Sequence, residues 1–141
     1  MLYKFLSGLA KGVTHCIFRV KVVGKENVPK DGGMILAVNH KSNWDPIFAG
    51  AYCPRPLRFM AKADLFKNKL FGRLIKKLGA FPIQRGRCDI GAIKGAFSIL
   101  KNNNAMLIFP EGHRIKNGKR VKAKLGVSMI AVYAEVPVIP L

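Results

Sequence analysis

In the stretch NHKSNWDP, residues 39–46, an imidazole and a carboxylate stand five positions apart. A carboxylate that holds one ring nitrogen of a histidine leaves the other nitrogen free to take a proton, so His40 and Asp45 could act as a general base and its orienting partner. The same residues have a plainer use. Asp45 before Pro46 suits a helix N-cap followed by proline at the first helical position, and Ser42 with Asp45 has capping-box spacing. Further along stand Lys62, Arg85 and the run Glu111-Gly112-His113-Arg114. Their cations could hold an anionic group, although Glu111 and Arg114 could equally form a local ion pair and Arg85 could be a solvated turn residue.

The three cysteines, Cys16, Cys53 and Cys88, are odd in number, far apart and without C-x-x-C spacing. This argues against a disulfide framework or a zinc site and for a reducing compartment with the thiols as small core residues. Cys88 has basic neighbours but no nearby histidine, so it is not a candidate nucleophile. The run GRCDIGA lacks the lysine of a phosphate loop.

Elements that would position these residues follow from hydrophobic period. FRVKVV (18–23) alternates as a half-buried strand, and MILAV (34–38) is a continuous apolar run that reads as a buried one. A short helix starts at Pro46. Strands follow at 57–61, 80–84, 105–110 and 136–141, separated by helices at 65–79, 89–102 and 124–134. In the first of these, Leu65, Phe66, Leu70, Phe71, Leu74, Ile75 and Leu78 share one stripe with lysines opposite, and Gly79 is its stop. Strands alternating with amphipathic helices make an α/β layered domain.

In such a sheet ligands bind outside the carboxyl ends of the strands. His40 follows the strand 34–38, Lys62 follows 57–61, Arg85 follows 80–84 and Glu111 follows 105–110. One crevice would then collect a histidine, two carboxylates and three cations.

The chain is of one-domain size, and half of its 141 residues are apolar, which excludes a disordered chain. Its 25 Lys+Arg against 7 Asp+Glu give +18, pointing to an anionic partner. Between Arg55 and Lys124 there are 18 basic and three acidic residues, so +15 of that charge lies in the central half. A nucleic-acid-binding module would explain the charge, but no RNP, KH or zinc-finger pattern is present. A catalytically inactive membrane-binding fragment would explain it too.

No segment reaches the roughly 20 apolar residues of a membrane span. The N-terminal segment instead places Leu2, Phe5, Leu6, Leu9 and Val13 at helical spacing. That stripe could lie in a membrane interface or pack on the domain's own core.

NHKSNWD resembles the N-H-x-x-x-x-D block of the glycerolipid acyltransferases, above all the bacterial lysophosphatidic acid acyltransferases. GAFPIQR resembles their second block, FPEGHR their third, followed by the K-x-G of Lys124 and Gly126, and VPVIP their fourth. The chain departs from the pattern at His113, where the family usually has Thr.

The resemblance implies a mixed, mostly parallel sheet flanked by helices (glycerol-3-phosphate acyltransferase-like). It also implies a 1-acylglycerol-3-phosphate O-acyltransferase that moves a fatty acyl group from acyl-CoA or acyl-carrier protein to the free hydroxyl of lysophosphatidic acid, giving phosphatidic acid. Acylation of glycerol-3-phosphate or another lyso-lipid is the alternative. No cofactor or metal is implied beyond the thioester co-substrate, and no nucleic acid.

On this reading His40 is the base and Asp45 its orienter, while Lys62, Arg85, Glu111, Gly112 and Arg114 form the acceptor site, the cations facing its phosphate. Ser42, two residues from His40, is poorly placed to be a nucleophile, and direct attack on the thioester needs none. The expected organisation is an amphipathic membrane-interface helix at 1–17 and an acyltransferase domain at 18–141. The place is the cytoplasmic face of the cell membrane, peripheral or monotopic, against anionic lipid. Leu141 ends an apolar run without a polar residue after it, so the sequence is expected to be a fragment truncated at the C-terminus.

Overall fold

The computed structural model describes residues 2–84, 89–115 and 121–141. Five strands form one sheet: β1 (Met34–Ala37), β2 (Leu57–Lys62), β3 (Ala80–Ile83), β4 (Ala105–Ile108) and β5 (Val138–Pro140), in the order β3-β2-β4-β1-β5. Each of the four pairings is parallel. Parallel strands need crossovers, and helices supply them: α2 (Asp45–Tyr52) after β1, α3 (Lys69–Lys77) after β2, α4 (Ile90–Lys101) after β3 and α5 (Gly126–Ala134) after β4.

Both faces of the sheet are covered, which is why β1 and β4 are apolar throughout rather than alternating. On one face Met34, Leu36, Leu57 and Leu107 pack with Ala49 of α2. On the other Ile35, Met106 and Ile108 pack with Ala96 and Leu100 of α4 and with Ile130 and Ala131 of α5. The helix α3 lies on the α2 face. Its Ile75 packs with Ala61 and Ala80, and Phe59 touches both that cluster and the α2 one. Gly79 takes φ +96 directly after α3, and a Cβ there would come within 2.8 Å of the Leu57 carbonyl oxygen, so the expected stop is a position only glycine fits.

Three expectations change. Residues 18–23 are not a strand. Both edges of β1 are taken by β4 and β5, and Phe18 instead stacks edge-on against Trp44 and Phe48, so the alternating run drapes over α2. The expected helix over 65–79 is divided into a 3-10 turn, Ala63–Phe66, and α3, because the Asn68 side chain accepts the backbone N–H groups of Leu70 and Phe71 and starts a new helix there. Its apolar stripe is also largely exposed: only Gly72 and Ile75 of α3 are buried. Finally, Cys16 is exposed rather than in the core, whereas Cys53 packs against the core and burial pushes its thiol pKa up.

The helix α1 (Leu2–Ile17) docks on α2 by its polar face. The Tyr3 hydroxyl donates to the Gly50 carbonyl at 3.2 Å, Ser7 donates to the Ala51 carbonyl at 3.1 Å, and the Thr14 and Tyr52 hydroxyls share a 2.9 Å bond. This polar side therefore turns the apolar stripe outward: Phe5 is 68% exposed, and Leu2, Leu9, Val13 and Ile17 are exposed as well. No helix among the described residues is long and apolar enough to cross a membrane.

Candidate active site

The strand order brings β1 and β4 side by side, so the residues that leave them, His40 and Glu111, emerge at neighbouring points of one sheet edge. The turn after β1 folds Asp45 back on His40, with Nδ1 3.0 Å from Asp45 Oδ2. The same oxygen accepts the backbone N–H groups of Lys41 and Ser42, each at 2.7 Å. A carboxylate oxygen holding two amide donors has acceptor capacity only, so the ring proton sits on Nδ1 and the Nε2 lone pair is free. The N-cap reading of Asp45 fails, while one arm of the capping-box spacing, Ser42 N–H to the Asp45 carboxylate, is made. Trp44 occupies the N-cap without a side-chain bond, and the carboxylate points back into the turn.

His40 is 9% exposed, and its ring stacks on Phe109 with centroids 4.0 Å apart. Its carbonyl accepts the Ile115 N–H at 2.7 Å, which ties the loop after β4 to the loop after β1. Ser42 Oγ accepts the Trp44 N–H at 3.2 Å and has no bond to His40. The described geometry gives that hydroxyl a turn-closing use.

Glu111 is 5% exposed, and its Oε2 has no hydrogen-bond partner among the described residues. A buried carboxylate oxygen without a donor costs free energy and marks a place where a ligand hydroxyl or water could bind. Gly112 follows with φ +71, and a Cβ there would lie 3.1 Å from both Cε and Nζ of Lys124. His113 and Arg114 are exposed, and Arg114 makes no ion pair among the described residues. The local Glu111–Arg114 pair does not form. Lys62 is on the surface, its Nζ 2.5 Å from Asp64, which also pairs with Lys67 at 2.7 Å. Arg85 and Cys88 lie outside the described residues.

Beside His40 opens a cavity of about 320 Å³ whose lining is mainly apolar, including Met60, Ile93, Phe109 and Val127. Among the described residues two charged ones reach it. Asp89 caps α4 through Ala92 N–H and holds Gln84 N–H, each at 2.9 Å, and these donors, Gln84 first, lower its carboxyl pKa. Lys124 is the other. In the sequence Lys124 is marked by the K-x-G spacing after the third block, and the fold adds its place beside Gly112. The stacking of Phe109 on His40 had no signal beyond an aromatic residue at a strand exit.

A family model described as Acyltransferase matches residues 19–141. The chain is 35% identical over 140 residues to the 1-acyl-sn-glycerol-3-phosphate acyltransferase of Bacillus subtilis (strain 168), covering 99% of this chain and 69% of that protein. The chain belongs to the acyltransferase family. A second family member, the 1-acyl-sn-glycerol-3-phosphate acyltransferase of Streptococcus pneumoniae (strain ATCC BAA-255 / R6), is 36% identical over 144 residues, covering 99% of this chain and 53% of that protein. Among solved structures, the 1-acyl-sn-glycerophosphate (LPA) acyltransferase PlsC from Thermotoga maritima has a TM-score of 0.79 at 31% identity, over 98% of this chain and 55% of that one. The chain thus spans from about half to about two thirds of the length of these acyltransferases.

Proposed function

We propose that the chain carries the acyl-transfer site of a 1-acylglycerol-3-phosphate acyltransferase, moving a fatty acyl group from a thioester donor to the acceptor's free hydroxyl to give phosphatidic acid. The observation that carries this reading is the His40–Asp45 pair, held at 3.0 Å through Nδ1, in a chain whose relatives are named for that reaction.

In this mechanism His40 Nε2 takes the proton of the acceptor hydroxyl as its oxygen attacks the thioester carbonyl carbon. The carbon–sulfur bond then breaks, and the departing thiolate of coenzyme A or the acyl-carrier protein takes up that proton. Asp45 keeps the other ring nitrogen protonated and stabilises the imidazolium between the two steps. A thiolate leaves without a strong acid, so no protein nucleophile is needed. Arg114 and Arg85 hold the acceptor's phosphate with Lys62 at the rim, and the free oxygen of Glu111 accepts a hydrogen bond from an acceptor hydroxyl. The apolar cavity beside His40 suits an acyl chain.

The outward stripe of α1 supports attachment to the cytoplasmic membrane surface, with the +18 charge favouring anionic lipid. The test is thiol release from acyl-CoA and from acyl-carrier protein with lysophosphatidic acid, glycerol-3-phosphate or an uncharged lyso-lipid as acceptor. Release that depends on lysophosphatidic acid is expected. Acceptor-independent release, or none with any acceptor, rejects the reading.

A further inference from the structure

The helix α1 is not alone in turning apolar side chains outward. In the segment that follows β2, Leu70 is 81% exposed, and Leu65, Phe71 and Leu74 are exposed as well. Around them stand Lys69, Arg73, Lys76 and Lys77, also exposed, and none of these four makes an ion pair among the described residues. Residues 62–77 hold six basic side chains and one acidic one, and that one, Asp64, is already engaged by Lys62 and Lys67. An apolar strip framed by unneutralised cations requires a partner that is both apolar and anionic, which an anionic lipid surface is. An acidic protein would answer the cations but would need apolar groups of its own to cover Leu70 and Phe71.

Position favours lipid too. The segment starts at Lys62, the exit of β2, so it begins at the sheet edge from which His40 emerges, and α3 shares the α2 face on which α1 is docked. One amphipathic helix can roll about its own axis on a membrane; a second contact removes that freedom. We propose that Leu65, Leu70, Phe71 and Leu74, with Lys69, Arg73, Lys76 and Lys77, form a second contact with anionic lipid that fixes the tilt of the domain on the membrane. This rests on the membrane attachment proposed for α1.

The test uses Leu70→Trp in a Trp44→Phe background, which removes the chain's one native tryptophan. Val132→Trp in the same background is the control, since Val132 is exposed on α5, across the sheet. With vesicles of phosphatidylcholine containing phosphatidylglycerol, the tryptophan at 70 shifts to the blue and is quenched by brominated lipid, and the one at 132 is not. In the native background Leu70→Ser lowers vesicle partition several-fold, and each of Lys76→Gln and Lys77→Gln lowers it about fivefold.

Protein that sediments with vesicles while the tryptophan at 70 stays unquenched overturns the second contact and leaves α1 as the anchor. No sedimentation at all, with α1 intact, overturns the membrane reading and this proposal with it. A tryptophan at 70 shielded from acrylamide before lipid is added, or one that responds to acyl-carrier protein and not to vesicles, shows that protein covers this face instead.

Discussion

The two sides of the crevice are prepared to different degrees. On the β1 side Asp45 Oδ2 receives three donors, all from residues 40–42 of the same turn, and Phe109 backs the His40 ring. On the β4 side Glu111 Oε2 is buried without a partner and Arg114 is exposed without an ion pair, both among the described residues, while Lys62, at the end of the neighbouring β2, pairs with Asp64 on the surface. Folding completes the first set, whereas the second lacks partners that a phosphorylated acceptor would supply. Damage to the first side should therefore appear in turnover, and damage to the second in acceptor affinity.

The largest effect is expected at the completed side. His40→Ala removes the proposed base and should lower kcat about 10³-fold, within the range of general-base catalysis, with acceptor binding nearly unchanged. Asp45→Asn should cost a comparable factor, because an amide no longer fixes the Nδ1–H tautomer. It should also lower stability by about 1–3 kcal/mol, since the amides of Lys41 and Ser42 lose a charged acceptor. Chemical denaturation of the two variants beside their kcat values separates the roles. An active His40→Ala protein would sink the mechanism.

Arg114→Ala tests the other side. Losing one charge-assisted hydrogen bond to phosphate, worth about 1.5–3 kcal/mol, should raise the acceptor KM roughly 10- to 100-fold. The donor KM and the melting temperature should stay in place, since Arg114 makes no ion pair among the described residues. Arg85→Ala should do the same if it shares the phosphate. Equal rises in both KM values would assign these arginines to the donor.

These contrasts were only partly legible in the sequence. Buried strands such as 34–38 and 105–110 were readable because a sheet covered on both faces leaves an uninterrupted apolar run, and strand exits then located His40 and Glu111. Residues 18–23 misled because alternation reports a segment with one wet and one dry face without saying what covers the dry one, here Trp44 and Phe48 rather than a neighbouring strand. The stripe of α3 misled in another way, and that of α1 left two readings open. Periodicity identifies the apolar side of a helix, but which side docks depends on partners, and α1 docks through Tyr3, Ser7 and Thr14. Likewise the pairing of Lys62 with Asp64 could not be read from spacing that served a phosphate role equally well.

Gly112→Ala should have a more moderate effect at the boundary between the two sides. At φ +71 an L side chain is strained, and the added methyl would press on the end of Lys124, which can move aside. The expected loss is about 1 kcal/mol of stability, with a several-fold fall in kcat/KM as the turn carrying Glu111 shifts. Lys124→Ala in the Gly112→Ala protein relieves the contact but not the backbone strain. Restored stability in the double variant would show that the contact dominates.

The smallest effect concerns Asp64, the surface partner of Lys62. The Lys62 ammonium first, and Lys67 second, hold its carboxyl pKa down to about 2. Because the folded value is depressed, any stability from this pair is present above the unfolded carboxyl value, about 3.9, and is lost as pH falls through about 2. The groups are exposed and screened by salt, so Asp64→Asn should leave the melting temperature at neutral pH unchanged and only flatten the stability curve between those values at low ionic strength. Its use lies in acceptor kinetics. If Lys62 can reach the phosphate, freeing it should lower the acceptor KM by about twofold, and Lys62→Ala should then raise KM more in the Asp64→Asn protein than in the native one. An acceptor KM indifferent to both changes would confine Lys62 to its surface pair and leave the phosphate to the arginines.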